Sequence, residues 1–170
     1  MLLRAIFLFA LIFLIPIAVA AKEIKYNHNS ITVSEVKAKV DFHVLVPNKI
    51  PDDWTLEIKR YPMDEEKHFT HFRLHYMDKD DTILKVGIEQ RNGPSNKEEL
   101  SSTNPEEVDI NGHKGYFEPW GNGGEVDKKG ELVTGGLLSW TQDGTYIQMN
   151  SSRIPKEMML EIAGSMKVVK

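Results

Sequence analysis

The fold is decided by residues 137–149, LLSWTQDGTYIQM, which alternate in polarity on both sides of an Asp143-Gly144 pair. Asp-Gly tolerates the positive φ angles of a type I′ turn, so this stretch predicts a two-residue β-hairpin. The turn fixes the register, in which Trp140 faces Ile147. Side chains alternate between the two sides of a strand, so the hairpin has one apolar and one polar face. The apolar face contains Leu138, Trp140, Ile147 and Met149, and the polar face contains Ser139, Thr141, Tyr146 and Gln148.

An amphipathic helix is predicted after the hairpin. Pro155 suits the first turn of a helix, where a missing N–H costs no hydrogen bond. From residue 159 onward, apolar side chains recur at helical spacing. The recurring set is Met159, Ile162, Ala163 and Met166. We expect this helix to cover the apolar face of the sheet to which the hairpin belongs.

Alternation of apolar and polar side chains also predicts strands upstream of the hairpin. The clearest alternation lies within residues 68–76. Asn111-Gly112 predicts another two-residue turn, and six glycines within residues 121–136 predict a flexible loop. The predicted elements are a short helix from Ser34 and strands over residues 42–46, 54–61, 68–76, 84–89, 108–110 and 115–117.

The order of these elements indicates the fold class. A short helix, two strands, three hairpins and a C-terminal helix succeed one another. A doubly wound parallel sheet would instead need single strands that alternate with helices. We therefore expect an α+β domain with a curved antiparallel sheet built from hairpins. The C-terminal helix and the short N-terminal helix are expected to pack against it.

The N-terminal residues differ in composition from the rest of the chain. Arg4 precedes a nearly continuous apolar run, and residues 18–20 are small, as at a signal-peptidase site. We predict a signal peptide over residues 1–21, a flexible lead-in over residues 22–33 and one domain over residues 34–170. The protein would then be secreted or held in the cell envelope. The alternative is an uncleaved anchor, because a membrane span needs about 20 apolar residues and this run is only slightly shorter.

Composition narrows the classes of partner and chemistry. Without the N-terminal segment, 20 basic side chains stand against 25 acidic ones, a formal charge of −5. A mildly acidic surface argues against nucleic acid as a partner, and we expect membrane contact only through an uncleaved N-terminal segment. The chain has no cysteine. This excludes disulfides, thiolate catalysis and zinc sites that use cysteine ligands.

Five side chains are candidates for ligand contact. His71, Arg73 and His75 share the polar side of one predicted strand, Trp120 lies beside the Gly-rich loop, and Tyr146 lies on the polar face of the hairpin. Two residues that are four positions apart on a strand are about 13 Å apart, which is too far for both to bind one metal ion. His71 and His75 are therefore not expected to share a metal ion. We predict no metal site, no cofactor and no catalytic residue.

The sequence contains no motif of a common catalytic class. No serine lies in a G-x-S-x-G elbow, and the Gly-rich stretch lacks the Gly-Lys-Ser/Thr of a phosphate-binding loop. The leading hypothesis is a non-enzymatic envelope module that binds a protein, a peptide or a lipid-like ligand. Its contact surface would be the concave side of the sheet or the 120–136 loop. The alternative is a secreted hydrolase or metal-dependent enzyme centred on His71 and His75.

Two segments carry a resemblance to a known family. The sequence VPNKIPDDW at 46–54 and the C-terminal pattern from Trp140 through IAGSM at 162–166 resemble an uncharacterised domain-of-unknown-function family. That family occurs in secreted proteins, lipoproteins and anti-sigma-factor ectodomains of Gram-positive, spore-forming bacteria. The likeness covers residues 34–167 and implies no activity or catalytic residue. The chain has no lipid-attachment cysteine and no cytoplasmic sigma-binding part, so the resemblance implies a free or loosely tethered domain.

Overall fold

The computed structural model describes residues 23–27, 29–64, 67–93 and 105–170. Over these residues the chain forms an open, curved, seven-stranded antiparallel sheet, a separate two-stranded sheet and two helices, which confirms the predicted α+β fold. The predicted signal peptide lies outside the described residues. The elements are α1 Val33–Lys37, β1 Leu45–Pro47, β2 Thr55–Tyr61, β3 His71–Met77, β4 Leu84–Asn92, β5 Glu106–Ile110, β6 His113–Pro119, β7 Gly136–Gln142, β8 Thr145–Ser151, α2 Lys156–Gly164 and β9 Met166–Val168.

The central hairpin, β7–β8, has the predicted turn and register. Asp143 and Gly144 have φ angles of 50° and 80°, as a type I′ turn requires. Trp140 pairs with Ile147, and every other predicted pair of this hairpin is also present. Its apolar face is completely buried. The opposite face is less exposed than the pattern predicts, because Tyr146 is only 2% exposed.

The seven-stranded sheet consists of two meanders that meet in its interior. Its order is β2-β3-β4-β8-β7-β6-β5, so β4 and β8 join the two meanders. The predicted turn at Asn111-Gly112 is present, with φ angles of 53° and 84°. His113 and Lys114 belong to β6 rather than to the turn. We call the side of the sheet that α2 covers the core face, and the opposite side the open face.

Helix α2 buries its apolar side against the core face, as predicted. Met159, Ile162 and Ala163 are all buried. The helix ends earlier than the apolar spacing indicates, because Ser165 donates its hydroxyl to the carbonyl oxygen of Ile162 (2.7 Å). Met166 then starts β9, which pairs with β1. Neither helix in the described residues is long and apolar enough to cross a membrane.

A bulge changes one predicted core position. The register of β3 against β4 shifts between Tyr76 and Met77, so Leu84 pairs with Met77 while Val86 pairs with Tyr76. Val86 remains in the core, whereas Leu84 is 36% exposed. Alternation along the strand predicted over residues 84–89 places Leu84 on the same buried face as Val86. This prediction is wrong, because a bulge adds a residue to one strand and breaks the alternation.

A buried glutamine attaches β1 to the sheet. Gln90 is completely buried; its side-chain oxygen accepts from the N–H of Leu45 (2.9 Å), and its amide nitrogen donates to the Leu45 carbonyl (2.7 Å). The carbonyl of Val44 accepts from the N–H of Val169, so the polar backbone groups of Leu45 point away from β9. Gln90 therefore satisfies the side of β1 that β9 leaves unpaired.

The lead-in lies along the outer edge of β2. Tyr26 and Leu56 form a parallel bridge. The N–H of Leu56 donates to the carbonyl of Lys25 (2.8 Å), and the N–H of Asn27 donates to the carbonyl of Leu56 (2.9 Å). This segment therefore covers part of an edge that would otherwise present unpaired backbone groups. The flexibility expected for residues 22–33 stays a prediction.

Candidate functional site

An apolar groove opens at the end of the sheet where β2 begins and β3 ends. Its volume is about 650 Å³. Three parts of the chain enclose it: the lead-in at residues 23–25, the connection over residues 46–54 and the adjoining ends of β2 and β3. The lining residues are Glu23, Ile24, Lys25, Val46, Pro47, Asn48, Ile50, Pro51, Asp52, Trp54, Leu56 and Tyr76.

Local sequence explains the wall formed by residues 46–54. Pro47 and Pro51 each fix φ near −65° and have no N–H to donate, so the chain leaves β1 without adding a strand to the sheet. The N–H of Trp54 donates to the carbonyl of Pro51 (3.3 Å), which closes a turn before β2. Ile50 and Trp54 are half-buried and pack against the core. The connection therefore presents apolar side chains to the groove while its backbone stays at the surface.

Charged groups lie among the groove's residues 23–25 and 48–52. The ammonium group of Lys25 donates to the carbonyl of Asp52 (2.7 Å) and so joins the lead-in to the opposite wall. Tyr76 is 4% exposed, and burial raises the pKa of its hydroxyl further above physiological pH. The groove thus combines an apolar lining with a few polar groups, the composition of most small-molecule sites.

The three predicted contact residues of β3 lie on the open face, away from the groove. The ring of His71 stacks on Tyr61, with centroids 4.7 Å apart. Arg73 forms an ion pair with Glu89 (Nη2 to Oε2, 2.5 Å). Burial lowers the pKa of His75. His71 and Arg73 thus interact with neighbours in the sheet.

The histidines are not part of a metal cluster within the described residues. His71 pairs across the strands with Tyr61 and Arg91, and His75 pairs with Glu57 and Gly87. The part of the chain that the structure describes contains no group of three or more His, Cys, Asp or Glu side chains that could hold a metal ion. The enzymatic alternative centred on these histidines stays a prediction.

The remaining two predicted contact residues interact within the domain. Tyr146 lies on the open face, where the guanidinium of Arg91 is 4.2 Å from its ring centroid. The indole N–H of Trp120 donates to the carbonyl of Ser151, and its backbone N–H donates to Gly135 (3.2 Å). These bonds fix the base of the 120–136 loop to the end of β8. Ligand binding by the five residues stays a prediction.

Sequence reasoning missed the groove because its walls come from segments that are distant in the chain. The residues that it needed were visible as separate features, namely Pro47, Pro51 and Trp54 in the 46–54 segment that carries the family resemblance. Period-two alternation reports which face of a strand is buried, but it does not report which segment lies beside the end of that strand. Two prolines followed by a tryptophan were the available signal for a rigid apolar wall.

The comparisons with known proteins identify one family. The family described as "Domain of unknown function (DUF4367)" matches residues 44–166. The match includes the 46–54 wall of the groove and the central hairpin. No curated protein and no solved structure matches the chain.

Proposed function

We propose that this chain, which belongs to the DUF4367 family of domains of unknown function, is an extracytoplasmic module that binds the alkyl chain of an amphiphile. The observation that carries the proposal is the apolar groove of about 650 Å³ at the end of the sheet. This volume lies within the range of about 300–1,000 Å³ that is typical of ligand pockets. The mainly apolar lining of the groove favours an alkyl chain over a polar solute.

Hydrophobic burial provides the binding energy. Ile50 and Trp54 retain exposed surface in the groove. Each methylene group of an alkyl chain that becomes buried there contributes about 0.8 kcal/mol. Lys25 and Asp52 supply polar groups, so the headgroup of the amphiphile would remain near them and in contact with water.

The position of the groove in the chain favours a membrane-derived amphiphile. Residues 1–21 are the segment that predicts export, and Glu23, two positions further on, belongs to the groove lining. The groove therefore lies beside the point where this segment joins the domain. During export, or with an uncleaved segment, this end of the domain would be the part nearest to the lipids.

A fatty-acid titration tests the proposal. Dodecanoate should displace fluorescent parinaric acid from the protein. Ile50→Asp should lower the affinity for both fatty acids by at least about tenfold, because their alkyl chains would have to contact a desolvated carboxylate. Leu132→Asp is the matched control, since Leu132 is 59% exposed and lies outside the groove lining. Absence of binding, or equal binding by Ile50→Asp and the native protein, would refute the proposed ligand.

The extracytoplasmic location needs its own test. In a host that recognises the signal, the protein recovered outside the cytoplasm should begin at Lys22 in mass spectrometry, because the predicted cleavage follows Ala21. Recovery of the intact chain from the cytoplasmic fraction would contradict this part of the proposal. It would leave the fatty-acid titration unaffected.

A further inference from the structure

A second, smaller pocket lies between the start of β4, the end of β8 and the 120–136 loop. Its volume is about 200 Å³. Three cationic side chains line it, namely Lys85, Lys129 and Arg153, together with the polar side chains of Asn150 and Ser152. The whole protein has a formal charge of −4, so this group of cations runs against the overall charge.

The cations of this pocket exceed the carboxylates that pair with them. Within the described residues, neither lysine ammonium forms an ion pair within 4.0 Å. Arg153 pairs through Nη2 with Asp127, while its Nη1 is buried and has no hydrogen-bond partner in the described part of the chain. The local structure therefore uses the charge of Arg153 in an ion pair, and the charge of Lys85 also helps to lower the pKa of Asp78. Both ammonium groups remain available to a ligand, whereas Nη1 of Arg153 is closed to solvent.

The fold holds these groups together independently of a ligand. The carboxylate of Asp127 accepts from the backbone N–H of Lys129 (2.8 Å) while it pairs with Arg153, so both cationic residues attach to the same side chain. The hydroxyl of Ser151 donates to the carbonyl of Lys85 (2.5 Å) and accepts from the N–H of Arg153 (3.0 Å). The backbones that carry all three cations are thus fixed relative to one another.

We propose that this pocket binds one phosphoryl group. A phosphate monoester carries a charge of about −1.5 to −2 at pH 7 and offers three strong acceptor oxygens. The three cations, less the charge of Asp127, leave an excess of positive charge to match it, which Asp78 reduces in part through Lys85. A guanidinium and ammonium groups form charge-assisted hydrogen bonds with phosphate oxygens.

The pocket has room for the group. Its volume of about 200 Å³ exceeds the share of about 30 Å³ that a water molecule occupies in the liquid, so a tetrahedral oxyanion and some of its hydration fit inside. The lining does not include a carboxylate that would repel the ligand. Asp78, a turn residue whose pKa Lys85 helps to lower, accepts from the N–H groups of Thr82 and Ile83 (2.8 and 3.1 Å) and is not itself in the lining.

Calorimetric titration of the full chain with inorganic phosphate and with glycerol 3-phosphate, at constant ionic strength, tests the proposal. Lys85→Met combined with Lys129→Met should weaken binding by at least about tenfold, because two charge-assisted contacts are lost. Lys79→Met combined with Lys128→Met is the matched control, since neither lysine lines the pocket. Urea unfolding should show that both double variants are folded.

Further arms of the titration identify the source of the phosphoryl group. Binding of inorganic phosphate would identify a free anion as the source of the phosphoryl group. Binding of dihexanoyl phosphatidate alone would identify a lipid headgroup. In both cases the Lys85→Met/Lys129→Met double variant must lose the binding heat. Ile50→Asp should bind phosphate like the native protein, because Ile50 belongs to the separate groove. Absence of heat with every phosphate compound, or equal loss in the two double variants, would overturn the proposal.

Discussion

Replacing Gln90 by leucine should destabilise the domain more than the similar volumes of the two side chains suggest. The substitution removes the only side chain in the described residues that hydrogen-bonds to both backbone groups of Leu45. Both residues are completely buried. A buried backbone group without a partner costs about 1–3 kcal/mol, so two such groups cost about 2–6 kcal/mol. The apolar surface of the new leucine offsets part of this, and we expect a net loss of about 2–4 kcal/mol.

Urea unfolding followed by tryptophan fluorescence measures this loss. A domain of this size has a free energy of unfolding of roughly 5–15 kcal/mol, so the expected change is a large shift of the urea midpoint. The control is Gln148→Leu on the neighbouring strand β8. Among the described residues, the Gln148 amide makes only a long hydrogen bond, to the hydroxyl of Tyr146 (3.4 Å). We expect this control to change the free energy by no more than about 0.5 kcal/mol. Equal midpoints for the two variants would refute the assignment of Gln90 as the anchor of β1.

Three further perturbations have defined outcomes. Gly144→Ala places a side chain at φ 80° and should cost about 1–2 kcal/mol in urea unfolding; Gly121→Ala, at a position without positive φ, should be nearly neutral. The side chain of Arg153 holds the pKa of Asp127 at about 2. The stability that this ion pair contributes should therefore be present above pH 3.8 and be lost as the pH falls towards 2. Asp127→Asn should flatten the decrease of the urea midpoint over this acid range. Trp120→Phe removes an indole hydrogen bond and should lower the free energy of unfolding by about 0.5–1.5 kcal/mol, whereas an unchanged midpoint would show that this bond contributes nothing.

The local rules of turns and strands predicted most of the architecture. Asp143-Gly144 specified both the turn and the register of β7–β8, because few residue pairs tolerate two consecutive positive φ angles. The apolar side of α2 followed from its helical spacing. These features depend on residues that are close together in the chain. The α+β fold could therefore be predicted without any knowledge of the long-range contacts.

The features that sequence reasoning missed all depend on distant partners. Gln90 looks like a loop residue because glutamine is polar, yet its amide pairs with the backbone of Leu45, forty-five positions away. The strand pair β1–β9 joins a segment that precedes all strands of the seven-stranded sheet in the sequence to a segment that follows them. The groove and the cationic pocket likewise combine three segments each. The periodicity of a sequence does not show which distant segments come into contact, so the candidate sites could be identified only from the structure.

The lead-in has two roles that couple to each other. Its residues pair with β2 and also form a wall of the groove, so a ligand that holds Ile24 in place stabilises the pairing of Tyr26 with Leu56. By thermodynamic reciprocity, a change that loosens this segment must lower the affinity for the ligand by the same factor. Amide hydrogen exchange at Leu56 would then report occupancy by the proposed ligand, and removal of residues 23–25, which contribute both the wall and a hydrogen bond to Leu56, would lower the affinity.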